Sequence, residues 1–274
     1  MRIFVTGGTG FIGSHFVKLA LSSGHEVSAL RRPGSKPRIQ LPQEPEWIEG
    51  SLNDVDSSDF ENCAVVVHFA AQGVSPQPTD WDRAFQVNVS QSIKFASTAA
   101  SAQIPHFVAC GSCFEYGKSS ERLLVIPPNT PLEPVGPYAA SKAAFSHALE
   151  AMSRTSSSSF TILRPFHIYG EGQHESNLWP SLRRAALQGL DFPMSRGEQI
   201  RDYMPVEEAA AIFLAHATCP TSQSLLVSNI GSGNPTTIRE FAIGWWKFWK
   251  ASGDLKIGEI PYQDNEIMRF VPLI

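Results

Sequence analysis

The sequence predicts an α/β fold: a doubly wound parallel sheet with a small C-terminal lobe. Three observations carry that expectation. A short apolar, β-branched run at residues 1–6 breaks into Gly7-Gly8-Thr9-Gly10-Phe11-Ile12-Gly13-Ser14, then into a helix-period run that ends at Gly24. Ala64-Val65-Val66-Val67-His68-Phe69-Ala70-Ala71 is continuously apolar, as strands buried on both faces are. Phe107-Val108-Ala109-Cys110 reads as the next central strand and delivers Gly111-Ser112 at its carboxyl end, where open α/β sheets place ligands.

The opening strand–turn–helix is the context a dinucleotide fingerprint requires, which makes the expected fold Rossmann-type. Gly7 lets the chain turn sharply, Gly10 lets backbone approach a pyrophosphate, and Gly13 lets helix pack on strand. The helix start at Phe11 and Ile12 offers free N–H groups and a positive dipole end to phosphates. Two spacings fit: Gly8-x-Gly10-x-x-Gly13 and the wider Gly7-x-x-Gly10-x-x-Gly13.

The 274 residues suffice for one large α/β domain with a smaller annex. A net charge of −4 with no block of like charge argues against a nucleic-acid footprint. No apolar run approaches membrane-spanning length. The first strand starts at residue 2, leaving no room for a signal peptide. Cys63, Cys110, Cys113 and Cys219 lack zinc or disulfide-framework spacing, so no metal is expected and the thiols read as free, in a cytoplasmic protein.

The second strand, 26–30, ends at Arg31-Arg32-Pro33-Gly34. An acidic residue at this point holds a ribose 2′-hydroxyl, whereas arginine accommodates a 2′-phosphate. Two arginines and no carboxylate favour NADP(H) over NAD(H). Residues 35–45 form a proline-rich loop, and 47–50 a short third strand. His68 reads as a packed core residue. After Phe69, itself a cofactor-binding candidate, the small Ala70-Ala71 end leaves room for a cofactor above the strand. A Pro/Gly-rich loop at 72–80 precedes a helix over 81–102 that carries Asn88.

Pro137-Tyr138-Ala139-Ala140-Ser141-Lys142 opens a further helix, with Pro at its first position. Tyr138 and Lys142 are four apart and share one face. A phenol titrates near ~10 and is a poor base at neutral pH. A nearby ammonium favours the phenolate, which can then exchange a proton with a sugar or alcohol oxygen. The hydroxyl of Ser112 can polarise the same oxygen. Ser112, Tyr138 and Lys142 are therefore the candidate catalytic residues.

In this order, the glycine turn, Ser112 and Tyr138-x-x-x-Lys142 resemble the extended short-chain dehydrogenases/reductases of the nucleotide-sugar epimerase/dehydratase/reductase group. The resemblance covers nearly the whole chain. It implies that Ser51 and Leu52 border the adenine, with Ser51 in place of the usual Asp. It places Ser75 in the substrate cleft and Asn88 behind the active site. Residues 160–170 resemble the strand with Leu-Arg-x-x-Asn-x-Tyr-Gly, which sets Pro165 and His167 beside the nicotinamide, His167 replacing Asn. Arg201 falls in an Arg-Asp-Tyr segment and would reach the diphosphate of a nucleotide sugar; its structural alternative is pairing with Asp202. Asn177 is a further substrate contact. Residues 1–170, with 197–230 returning, form the dinucleotide-binding domain, and 171–196 with 231–274 the substrate lobe. Homodimers through helices near 84–101 and 138–152 are expected.

Cys113-Phe114 stands where 4,6-dehydratases carry Asp-Glu, which sets that dehydration aside. With Arg31 and Arg32 pointing to NADP, the expected reaction is reduction of a nucleotide-linked 4-keto-6-deoxy sugar. A nucleotide-sugar 4-epimerase with bound NAD(P) is the alternative, and a non-catalytic dinucleotide-binding regulator a third.

Overall fold

The computed structural model describes residues 1–74, 79–262 and 266–274. Seven parallel strands form the central sheet. They are β1 (Arg2–Thr6), β2 (Glu26–Arg31), β3 (Glu46–Glu49), β4 (Cys63–His68), β5 (His106–Cys110), β6 (Ser159–Pro165) and β10 (Leu225–Ile230), in spatial order β10-β6-β5-β4-β1-β2-β3. The order reverses at β1, between β4 and β2. This is the switch point where a doubly wound sheet opens a crevice at its carboxyl edge, and the Rossmann-type expectation holds.

The strands alternate their side chains between two cores. Ile3, Val5, Val65, Val67 and Val108 pack on one side with α1 (Phe11–Ser22) and α6 (Val206–Thr218). Phe4, Val66, Phe107 and Ala109 pack on the other with α3 (Ser92–Ser101) and α4 (Pro137–Ser153). Burying each such side chain contributes about 1.5–3 kcal/mol, so both faces of the sheet are closed by helices rather than water. β4 stops at His68, earlier than the apolar run suggests. There the Phe69 amide still donates to Thr6 O at 3.0 Å, and the Ala70 amide goes to the Thr6 hydroxyl at 3.3 Å instead of a strand partner.

The helix expected over 81–102 is three segments. α2 (Trp81–Phe85) passes through a π-helical stretch, Gln86–Gln91, into α3. The wider turn is where Asn88 points inward, at 2% exposure.

Beyond β6, the short strands β7 (His167–Tyr169), β9 (Ile200–Pro205), β11 (Pro235–Thr237) and β13 (Arg269–Phe270) form a four-stranded sheet around β9. α5 (Leu178–Gln188) and α7 (Ile238–Phe248) pack a separate apolar core of Leu182, Ala185, Ala242 and Trp246 against β8 (Phe192–Met194). β8 pairs with β12 (Leu255–Ile257), and the Trp246 indole donates to Gly253 O at 3.0 Å. Among the described residues, no helix is long and apolar enough to cross a membrane.

Candidate active site

The turn after β1 is built by close backbone approach. Gly7 has φ +70°, and a Cβ there would lie 2.6 Å from Ala70 N. A Cβ on Gly13 would lie 2.2 Å from Gly7 O, so the first turn of α1 rests directly on the strand end. Gly10 donates to Gly7 O at 2.8 Å and caps α1 without a side chain. Gly8 has ordinary φ and meets only side chains, the nearest being Val17 Cγ2 at 3.2 Å. The spacing that matters is therefore Gly7, Gly10, Gly13. Helix geometry leaves the N–H groups of Phe11 and Ile12 without intrahelical acceptors, so the cradle fits a pyrophosphate. Phe69 lines its floor, packed on Phe16 and Phe213 at 5.3 and 4.7 Å, with Ala70 and Ala71 partly exposed beside it.

His68 lies under this turn. One ring nitrogen meets the Thr6 hydroxyl at 2.7 Å and the other the Ser92 hydroxyl at 3.1 Å. Burial pushes its pKa down to about 3, with Lys142 adding to the shift. It is a neutral core residue, as expected.

The end of β2 departs from expectation. The Arg31 guanidinium donates to Glu49 Oε1 at 2.9 Å and lies 4.9 Å over the Trp47 ring. Glu49 is the register partner of Arg31 on β3. The carboxylate missing from the local sequence arrives from the neighbouring strand and takes one guanidinium nitrogen, while Arg31 Nε is buried without a partner among the described residues. Arg32 is exposed. The Ser51 hydroxyl is bound to Asp54 Oδ2 at 2.7 Å, and Leu52 is buried in the second core.

Ser112, Tyr138 and Lys142 converge at the carboxyl edge of β5. Ser112 caps the short 3₁₀ helix Cys113–Tyr116. Burial pushes the Tyr138 phenol above its ordinary range, and the nearby Ser112 side chain only partly offsets that by favouring the ionised form. Lys142 donates to Cys110 O, the last carbonyl of β5. The expected lowering of the phenol by Lys142 is not what this geometry gives: the ammonium is turned onto the strand end, and after burial the neighbouring Cys110, Cys113 and Glu115 oppose ionisation of Tyr138.

Asn88 ties the pieces together. Its amide accepts from Gln72 N at 2.7 Å and donates to Gln72 O and Ser141 Oγ, each at 2.9 Å. It pins the loop after β4 to the residue preceding Lys142.

The residues read from the C-terminal half are more scattered in role. Pro165 ends β6, buried, opposite Ile230. His167 meets Tyr203 and Phe270 ring to edge, and burial with Arg201 nearby pushes it down to about 3. Its Nδ1 is buried with no hydrogen-bond partner among the described residues. Arg201 pairs with Glu266 at 3.2 Å, not with Asp202. Asp202 instead accepts from the Ser232 and Gly233 amides at 2.6 and 2.8 Å, holding the turn after β10. Asn177 precedes α5 without capping it through its side chain. Ser75 lies outside the described residues.

Sequence reading missed one cluster. Glu115 is fully buried and accepts from the Ser112 amide at 2.8 Å, Ser146 Oγ at 2.7 Å and Arg164 Nε at 2.8 Å. Arg164 continues to Tyr116 Oη at 3.1 Å, and Tyr116 donates to Asn229 at 2.6 Å. Two signals were present: Ser112-x-x-Glu115 is a capping box, and Arg164 is a charge inside an apolar strand, which demands a buried partner.

Comparison with known proteins gives this geometry a context. The NAD dependent epimerase/dehydratase family matches residues 3–231. The UDP-glucose 4-epimerase of Corynebacterium glutamicum is 24% identical over 261 residues, covering 88% of this chain and 78% of that one. The crystal structure of the Thermus thermophilus UDP-glucose 4-epimerase complex with NAD is similar at a TM-score of 0.81 and 25% identity, covering 100% of this chain and 90% of that one. TunA, an NAD dependent NDP-hexosamine 5,6-dehydratase of tunicamycin biosynthesis, is similar at 0.84 and 27% identity, covering 100% and 89%. NAD, not NADP, is bound in the Thermus structure and in the structure of MoeE5 with UDP-glucose and NAD, 25% identical at a TM-score of 0.83, which overturns the NADP preference drawn from Arg31 and Arg32. On this chain Arg31 is already engaged by Glu49, so arginine at this strand end is not by itself a free phosphate site.

Proposed function

From the premise that this chain belongs to the NAD dependent epimerase/dehydratase family, we propose that it is a nucleotide-sugar 4-epimerase that works with NAD. The coarser statement is secure: the chain is an NAD(P)-dependent, sugar-modifying enzyme of the extended short-chain dehydrogenase/reductase type. The observation that carries the proposal is the shared sheet edge. The Gly7–Gly10–Gly13 cradle follows β1, Ser112 follows β5, and α4 brings Tyr138 and Lys142 to Ser112 and Cys110. The Arg31–Glu49 pair supports NAD, because a 2′-phosphate would have to compete with a carboxylate already bonded to one guanidinium nitrogen.

NAD, when bound, supplies the hydride acceptor and donor at its nicotinamide. Tyr138 is placed to exchange a proton with the sugar 4-oxygen. Ser112 holds the same oxygen by hydrogen bond. Lys142, anchored on Cys110 O, fixes the helix face that carries Tyr138. Phe11 and Ile12 offer their N–H groups to the pyrophosphate. Leu52, Phe69, Ala70 and Ala71 wall the cofactor cleft, with Pro165 and His167 on its far side. Arg201, Asn177 and Ser75 contact the nucleotide sugar, whose site involves the α5–α7 lobe. The assembly is a homodimer.

The test is turnover on a panel of UDP-, dTDP-, GDP- and CDP-sugars, run with NAD and, in a parallel arm that includes the 4-keto sugars, with NADH or NADPH. Epimer formed without net change in cofactor is the expected result. Cofactor oxidised in step with product would mean a reductase, and a product lighter by one water a dehydratase. Tyr138→Phe should lower kcat by at least about a thousandfold while NAD affinity stays within a few-fold. Retained turnover would remove Tyr138 from proton transfer.

A further inference from the structure

We propose that Glu115 is a positioning residue, a buried carboxylate that clamps Ser112 to the helix carrying Tyr138 and Lys142. The inference rests on the catalytic reading of those three residues. Its basis is what the two carboxylate oxygens hold. Oε1 accepts from the Ser112 amide at 2.8 Å and so fixes the backbone from which the serine hydroxyl projects. Oε2 accepts from Ser146 Oγ at 2.7 Å. Ser146 follows Lys142 by four residues and Tyr138 by eight, so one face of α4 carries all three. Arg164 on β6 holds Oε2 from a third side at 2.8 Å. One carboxylate therefore joins the end of β5, α4 and β6.

The site is built for this group. Glu115 is 0% exposed and Arg164 4%. A Cβ on Gly111 would lie 2.8 Å from Glu115 Oε1 and 2.9 Å from Arg164 Cγ, so Gly111 leaves the space they fill. A buried ion pair adds little net stability over a well-packed apolar pair, because desolvation offsets the attraction. What the arrangement supplies here is a fixed distance between the hydroxyl that binds the reacting oxygen and the phenol that exchanges its proton. The charged and titratable groups around that phenol are Cys110 on β5, Cys113 and Glu115 on the 3₁₀ turn, and Lys142 on α4.

Ser146→Ala and Glu115→Gln test the clamp. Ser146→Ala cuts only the arm to α4 and leaves no charge unpaired. It should fold with a melting temperature lowered by only a few degrees, lower kcat about three- to tenfold, and leave KM and NAD affinity unchanged. Glu115→Gln sets an amide donor against either the Ser112 amide or Arg164 and should lower kcat further, by about a hundredfold. If that variant does not fold, Ser146→Ala decides alone. Hydrogen exchange at the Ser112 amide needs no substrate and should quicken in both variants. Wild-type kcat in folded Ser146→Ala would overturn the clamp. A wild-type protein inactive on every sugar nucleotide would instead overturn the catalytic reading; the clamp itself would then stand on quickened Ser112 exchange and fall on unchanged exchange.

Discussion

The turn after β1 and the end of β2 are neighbours on one sheet edge, yet they are built by opposite means. The first is backbone: Gly7, Gly10 and Gly13 remove side chains where chain meets chain, down to 2.2 Å from an imagined Cβ to Gly7 O. The second is charge: Arg31 is decided by Glu49, eighteen residues away on another strand. A site made of absent side chains has no partner to lose and keeps its meaning wherever the fold forms. A site made of charge takes its meaning from whichever opposite charge the fold sets beside it.

The largest expected effect strikes the backbone site. Gly7→Ala and Gly13→Ala each force a Cβ against main chain, costing about 1–3 kcal/mol of overpacking. NAD affinity measured by calorimetry should fall by one to two orders of magnitude. Gly8→Ala meets only movable side chains and should bind within a few-fold of wild type. A loss in Gly8→Ala as deep as in Gly13→Ala would restore the other glycine spacing and break the contrast.

A middle-sized effect sharpens it from beneath the turn. His68 is neutral in the fold, with its pKa lowered from 6.5 to about 3. As pH falls below 6.5 the unfolded chain takes up this proton first, so stability is full above that pH and is lost on the way down to about 3. Between pH 6.5 and 5 the loss from His68 is about 2 kcal/mol. Urea denaturation across that range in wild type and in His68→Gln reads it; equal slopes in the two proteins would show that His68 is not the group responsible.

The smallest effect belongs to the charge site. The Arg31–Glu49 pair is partly exposed, with Glu49 at 51% side-chain exposure, and such pairs contribute about 0–1 kcal/mol. Glu49→Gln should leave stability nearly unchanged and narrow the preference for NAD over NADP about three- to fivefold. An unaltered ratio of cofactor affinities would mean that Arg31 is not what the carboxylate restrains.

Much of the fold was legible because its signals are local. Strand period, the glycine turn and Pro137 at a helix start act within a few residues, and the parallel sheet follows from them. Ser112, Tyr138 and Lys142 were legible as a set, since one strand end and one helix turn place them. The partners of charged groups were not. Nothing near Arg31 announces Glu49, nothing near Arg201 announces Glu266, and the π-helical turn that aims Asn88 inward leaves no mark on an apolar helical pattern. Glu115 lay between the two cases: its capping box with Ser112 was readable, but its bonds to Ser146 and Arg164 span 31 and 49 residues.

The sequence by itself determined where the backbone turns, which runs are buried on both faces, and which strand end carries a hydroxyl facing a phenol and an ammonium. Tertiary structure alone decided which charge neutralises which. Steric and torsional preferences act between neighbours along the chain and survive in any context. Electrostatic pairing depends on distance in space and on exclusion of water, and both exist only once distant strands have been brought side by side.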